Sequence, residues 1–293
     1  MIRKPHSMVA VTVTPFREGC SPDLEEIRRQ TEDLCVSGID VLFPCASTGE
    51  FVRMETADKL AVLQTVAEQN RGRKALFAGA ADASEEGVIR YVKAAARWGY
   101  DACVICPPYY FPLGQDDVFR FYENVCAAAD GMPIYAYHVP FFTTGIETET
   151  FRRLLTIPNL AGMKDSAQNL KRISHLCDIA RRERPDFELY TGTDDCLLPS
   201  LVAGCRGNMT ALTASMPESI RAIYDAFRAG DLAGAMAAQQ AILPVLRLCD
   251  SLPFPLGYKV LAKVRGLRTE KIAHPRAAEV EAAIRRLLEE GTN

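Results

Sequence analysis

The chain has 293 residues, is 48% hydrophobic and 24% charged, and carries 34 Lys and Arg against 37 Asp and Glu for a net charge of -3. This is an ordinary globular composition, and a chain of this length buries ~75% of the surface it exposes when unfolded, so a core needs no metal or disulfide staples. The balanced charge argues against a nucleic-acid footprint, which needs a basic domain or a clustered stripe of Lys and Arg, and makes small-molecule chemistry the expectation.

The apolar run from Met8 to Val13 is too short for a signal peptide or a membrane span, so a cytoplasmic protein without membrane partners is expected. The first predicted strand covers 9–14, and its helix opens with Ser21 as N-cap and Pro22 at the first helical position, placing Leu24, Ile27, Thr31 and Leu34 on one face. Further strands are predicted over 39–44, 74–79, 100–106, 133–137, 160–164, 187–191 and 204–210, with helical segments between them, as at 84–98 and 118–129. Ten cysteines are scattered over this large chain, which reads as reduced thiols. Cys103 and Cys106 have the C-x-x-C spacing of redox and zinc sites, but they lie in an apolar run with no second pair or His partner.

Eight strands alternating with helices predict an α/β fold, a (β/α)8 TIM barrel, with a C-terminal helical extension. A doubly wound sheet is the alternative, but the first strand-to-helix turn, 15–19, lacks the glycine-rich dinucleotide fingerprint, and no P-loop is present. Beyond residue 216 the pattern is helical. Ile220, Ile223, Tyr224 and Phe227 form one apolar face, Leu232, Met236, Gln239 and Leu243 another, and Val280, Ile284 and Leu287 a third. We expect a barrel over 1–230 and an appendage of the same unit over 231–293.

In such a barrel chemistry sits where strands end. The second strand runs into Ala46-Ser47-Thr48-Gly49-Glu50, where hydroxyls and backbone N–H groups can form a nest for a carboxylate, or where Ser and Thr simply cap a helix. The fourth ends in Pro107-Pro108-Tyr109-Tyr110-Phe111, and the fifth in Tyr135-Ala136-Tyr137-His138-Val139-Pro140. The sixth ends in Gly162-Met163-Lys164-Asp165-Ser166. A lysine closing an interior strand is costly unless it pairs with a carboxylate such as Asp165 or Asp194, or serves as a desolvated amine ready to form a Schiff base.

Together Ser47-Thr48-Gly49-Glu50, Pro108-Tyr109-Tyr110, Tyr137-x-x-Pro140, Gly162-Met163-Lys164-Asp165-Ser166 and Gly192-Thr193-Asp194-Asp195 resemble the dihydrodipicolinate synthase and N-acetylneuraminate lyase family of class I aldolases. Their order and spacing agree along nearly the whole chain. The resemblance implies an imine between Lys164 and a 2-oxo acid such as pyruvate, with no cofactor or metal. It also implies Ser47 and Thr48 on the substrate carboxylate, Tyr137 as general acid/base, and a proton relay through Thr48 and a second tyrosine, Tyr110, donated by an adjacent subunit. An oligomer follows, a homotetramer built as a dimer of dimers. Met209, in the eighth strand, joins Gly192 among the substrate-binding positions.

Departures from the family pattern refine the expectation. The first family glycine of the Ser-Thr motif is Ala46, which fits if its φ is negative. The Asn after the strand-five tyrosine is His138, either a tolerated loop residue or a substrate contact. The synthases that condense pyruvate with aspartate semialdehyde carry an arginine five residues after that tyrosine, where this chain has Phe142. An aromatic ring cannot form the paired hydrogen bonds of an arginine with a carboxylate, so the synthase activity proper is disfavoured. Asp194 either caps the following helix or binds sugar hydroxyls. The expectation is therefore a lyase that cleaves, condenses or dehydrates a hydroxylated 2-oxo acid or sugar acid, the alternatives being that synthase or a catalytically idle 2-oxo-acid-binding paralogue.

Overall fold

The computed structural model describes residues 7–18, 21–270 and 272–290. Strands and helices alternate: β1 Met8–Val11, α1 Leu24–Val36, β2 Val41–Phe43, α2 Thr56–Asn70, β3 Ala75–Gly79, α3 Glu85–Arg97, β4 Ala102–Ile105 and α4 Gln115–Ala128. There follow β5 Ile134–His138, α5 Thr148–Leu154, β6 Leu160–Asp165, α6 Leu170–Glu183, β7 Glu188–Thr191, α7 Leu197–Ala203 and β8 Gly207–Thr210. The eight strands neighbour one another in chain order in a closed barrel of parallel pairs, as the alternating pattern predicts.

The strands form because each is a short apolar run flanked by turn residues, and such runs, buried on both faces, suit parallel strands. The helices bury one stripe each: α3 through Val88, Tyr91, Val92 and Ala95, and α4 through Val118, Phe121, Tyr122 and Val125. Full burial of such a side chain contributes roughly 1.5–3 kcal/mol. The cap of α1 differs from expectation. Pro22 is held in an antiparallel bridge with Phe16, and the Asp23 carboxylate accepts from the N–H groups of Glu25 and Glu26, both at 3.2 Å. A carboxylate also complements the helix N-terminus better than the Ser21 hydroxyl would.

After β8 come α8 Ala211–Ser215, α9 Pro217–Arg228, α10 Leu232–Asp250, α11 Leu256–Val264 and α12 Ala277–Glu290. The inner stripe of α10 is Ala235, Gln239, Ile242, Val245, Leu246 and Cys249, while the expected Leu232 and Met236 face outward. This helix is apolar on most sides, to the point that its composition alone would let it cross a bilayer, so periodicity does not pick out the buried face. It packs instead on α9, α11 and α12.

By internal contacts the chain falls into two units. Among the described residues, one comprises 75–209 with Ser7, and the other 8–74 with 210–290. In the second, buried Glu26 of α1 accepts from Arg29 and, at 2.7 and 2.8 Å, from the backbone N–H and Nε of Arg268. No disulfide joins the nine described cysteines, and Cys20 lies outside the described residues. Burial raises the Cys103 thiol far above its ordinary range, which makes it unreactive.

Candidate active site

In the first unit the register places Tyr137 of β5 opposite Lys164 of β6, and Lys164 opposite Tyr190 of β7. Side chains two apart on a strand share a face, so Tyr135 and Tyr137, Gly162 and Lys164, and Glu188 and Tyr190 form two layers. In the lower layer Glu188 accepts from the Tyr135 and Tyr190 hydroxyls at 2.5 and 3.2 Å, and Tyr135 stacks on Phe77 with centroids 5.0 Å apart. Gly162 leaves room for it, since a Cβ there would meet the Glu188 carbonyl and the Tyr135 ring. The barrel interior is thus not purely apolar, and its carboxylate is satisfied by two hydroxyls on Oε2 and by Arg206 Nε, 3.5 Å from Oε1.

In the upper layer Lys164 Nζ lies 4.3 Å from the centroid of the Tyr137 ring, and both residues are buried. Gly192, just past β7, gives the lysine its space: a Cβ at that position would lie 2.8 Å from Lys164 Cε and collide with Ser166 Oγ. Asp165 points to the opposite face, as the pleat requires, and its Oδ2 accepts from Arg172 Nε at 2.9 Å. The reading in which Asp165 neutralises Lys164 therefore fails.

Asp165 instead begins a clamp. Arg172 also donates through Nη2 to the Ile146 carbonyl at 2.7 Å, the Ile146 N–H donates to His138 Nδ1 at 2.9 Å, and the Ser166 N–H donates to the His138 carbonyl at 2.9 Å. Burial lowers the His138 pKa to about 4, so its imidazole is neutral and its Nδ1 is free of a proton to accept this bond. His138 thus has a loop-anchoring partner in Ile146.

The loops after β4 and β5 are tied together. The Leu113 N–H donates to Thr144 Oγ1 at 2.8 Å, Gln115 Nε2 to the Gly145 carbonyl at 2.9 Å, and the Glu147 N–H to Gln115 Oε1 at 3.0 Å. These loops hold Tyr110, Phe111, Phe141 and Phe142, all exposed. Tyr110 is 87% exposed, has a left-handed φ of 85°, and packs edge-on against Phe111. Asp194 is buried and opens a short 3-10 turn before α7, and Met209 is buried in β8.

In the second unit Ser47–Gly49 forms a 3-10 turn after β2, and α2 begins only at Thr56 with Glu55 at its N-cap position. Ser47 and Thr48 therefore cap no α-helix. Ala46 has φ of -84°, so alanine replaces the family glycine without strain. The Gly49 carbonyl accepts from Thr14 Oγ1 at 2.7 Å, and a Cβ on Gly49 would crowd that same hydroxyl at 3.1 Å.

The model of the dihydrodipicolinate synthetase family matches residues 4–290. The chain belongs to the dihydrodipicolinate synthetase family. Among its relatives, a 4-hydroxy-tetrahydrodipicolinate synthase of Anaeromyxobacter dehalogenans is 32% identical over 290 residues, covering 99% of this chain and 97% of the relative. An uncharacterized DapA-like lyase of Thermofilum pendens is 30% identical over 293 residues, covering 97% of each. A prophage protein of the dihydrodipicolinic acid synthase family from E. coli K12, solved in complex with pyruvate, superposes with a TM-score of 0.90 at 21% identity, covering 97% of this chain and 98% of that one. Members of the dihydrodipicolinate synthetase family are class I aldolases and lyases, and this chain is an enzyme of that type.

Two residues of this family member escape a reading of the motifs. Arg172 stands on α6, seven positions beyond the Asp165 it pairs with, and Lys259 stands on α11, where its Nζ lies 2.7 Å from Glu50 Oε1. The only signal for Lys259 is a lysine within the apolar run of 256–262.

Proposed function

We propose that the protein cleaves, condenses or dehydrates a hydroxylated 2-oxo acid or sugar acid through an imine on Lys164, with pyruvate as the donor fragment. One observation carries the assignment of the amine: Lys164 is buried at the end of its strand with Nζ 4.3 Å from the Tyr137 ring. The deprotonated amine adds to the C2 ketone and the carbinolamine loses water; the resulting iminium accepts the C3–C4 electron pair on cleavage, or gives up a C3 proton to become the enamine that attacks a carbonyl partner or expels a neighbouring hydroxyl. The iminium is itself the electron sink, so the reaction calls for no separate cofactor. Tyr137 moves the protons of the carbinolamine and of the substrate hydroxyl.

Ser47 and Thr48 hold the substrate carboxylate with their hydroxyls and backbone N–H groups. Thr48 relays protons together with Tyr110 from a neighbouring subunit. The exposed Tyr110–Phe111 pair and the left-handed Tyr110 backbone support a loop shaped for another copy, in a dimer of dimers. Asp194 faces the hydroxylated portion of the substrate, Gly192, Met209 and Phe142 shape its site, and His138 acts through the loop it anchors. The chain is a cytoplasmic barrel over 1–230 with its appendage over 231–293. Phe142 leans the partner away from a second carboxylate, which disfavours aspartate semialdehyde.

Incubation with pyruvate and borohydride tests this directly. Mass spectrometry is expected to find a reduced pyruvate adduct on Lys164, absent from Lys164→Ala, and a panel of hydroxylated 2-oxo acids then identifies the substrate by pyruvate release. An unmodified Lys164 at saturating pyruvate refutes the imine. Trapping without turnover on any member of the panel would favour the catalytically idle paralogue.

A further inference from the structure

The Ser47–Gly49 turn is bracketed by two non-glycine residues in the left-handed conformation, Cys45 with φ of 59° and Glu50 with φ of 54°. Such conformations persist only where the surroundings over-determine them. At Glu50 the surroundings come from the far end of the chain. Lys259, whose side chain is 1% exposed, donates through Nζ to Glu50 Oε1 at 2.7 Å and to Glu270 Oε1 at 2.8 Å. Arg53 Nη1 lies 2.6 Å from Glu50 Oε2 and 3.6 Å from Glu270 Oε1. The Phe16 ring lies under both cations, 4.6 Å from Lys259 Nζ and 4.5 Å from Arg53 Cζ, and its N–H donates to Glu270 Oε2 at 3.1 Å. Burial works to raise the Glu270 carboxyl, yet the bonds from Lys259 and Thr269 hold it below its usual value.

Two cations and two carboxylates thus balance in a cluster whose central pair, Lys259 and Glu50, is buried. Well-packed apolar residues of similar volume would generally be as stable or more so, so stability alone does not account for the cluster, and its use must be sought in the geometry it imposes. That geometry is specific. Glu50 is the residue that closes the 3-10 turn, its own N–H donating to the Ser47 carbonyl at 3.0 Å, so fixing its side chain fixes the left-handed corner on which Ser47 and Thr48 are mounted. From the other side the turn is held by Thr14 Oγ1 on the Gly49 carbonyl.

We infer that Lys259 is a positioning residue for the substrate carboxylate: through Glu50 it holds the Ser47–Gly49 turn in the shape that offers its hydroxyls and N–H groups to an anion. The inference rests on the reading that Ser47 and Thr48 bind that carboxylate. It gives the C-terminal helices a part in substrate binding, carried by a side chain that touches no substrate.

The test titrates borohydride trapping on Lys164 with pyruvate and, separately, with methyl pyruvate, in which the ketone is kept and the carboxylate charge is masked. Lys259→Met is expected to raise the pyruvate concentration for half-maximal trapping at least tenfold while leaving that for methyl pyruvate within about twofold, with the far-UV circular dichroism unchanged. Glu50→Gln, which keeps the side-chain shape and leaves Lys259 paired with Glu270, is expected to shift pyruvate about threefold in the same direction. A purely structural role would move both ketones together or neither, and either result in the folded variants overturns the inference. If Lys259→Met does not fold, Glu50→Gln decides: an unchanged pyruvate half-saturation overturns the inference, and a selective shift supports it. Wild-type protein that pyruvate fails to trap sinks the functional reading and this inference with it, whereas trapped wild type with unselective variants sinks the inference alone.

Discussion

Lys164 works in a space set by the residue that is missing a side chain beside it. Gly192 has no Cβ to press on Lys164 Cε, and its neighbour Ser166 fills the rest of the gap. Gly192→Ala would place a methyl group in collision with Ser166 Oγ and 2.8 Å from that methylene, so Ser166 and the lysine must both give way and the amine shifts from its position near Tyr137. An amine displaced by even 1 Å loses much of the advantage of a preset approach to the ketone. We expect the rate of pyruvate trapping in Gly192→Ala to fall at least tenfold while the melting temperature moves by only a few degrees, as measured by quenched-time mass spectrometry beside a thermal melt. A wild-type rate would show that the glycine is not what makes room for the amine.

At the scale of elements, the clamp on the loop after β5 explains why a histidine can stand where the family pattern has an asparagine. The clamp uses Nδ1 as an acceptor, which the Oδ1 of an asparagine can also be. The two differ in titration. Histidine ordinarily takes up its proton near pH 6.5, but in the fold burial delays this to about 4. Between those values the unfolded chain binds the proton and the native chain does not, so stability is full above about pH 6.5 and declines as the pH falls toward 4, by on the order of 3 kcal/mol at most. His138→Asn should flatten this slope in urea melts taken between pH 4 and 7, and an unchanged slope would assign it to other groups. Arg172→Met leaves Asp165 buried without its guanidinium, which should cost about 3 kcal/mol in the same melts. It should also raise KM for the carbon partner while pyruvate trapping keeps its half-saturation, because the loop released carries Phe141 and Phe142 and not Lys164. These contacts were not legible in the sequence. The strands were, because a strand buried on both faces reads as a continuous apolar run, and Lys164 stood out against such a run. Arg172 reaches its partners from 7 and 26 positions away along the chain, distances no periodicity encodes. The α10 stripe departs from the expected one for the converse reason, since Leu232 and Met236 are as apolar as the residues that face inward.

The whole molecule carries a patch that a monomer would not be expected to keep bare. Tyr110, Phe111, Phe141 and Phe142 are exposed on two loops that the Gln115 and Thr144 hydrogen bonds tie to each other. Sedimentation of the wild type should give an oligomer, and Phe111→Asp should shift it toward smaller species with at least a tenfold loss of kcat, since a released Tyr110 would leave the proposed proton relay incomplete. A smaller species of full activity would remove Tyr110 from the chemistry. The order of the chain adds a last consequence. Among the described residues, 8–74 form one unit with 210–290, and Glu50 meets its lysine 209 positions later. On the ribosome the Ser47–Gly49 turn is therefore made early and completed late: a nascent chain that already contains Ser47, Thr48, Tyr137 and Lys164 holds the Arg53 partner of Glu50 but still lacks Lys259, and gains that contact only after α11 has emerged.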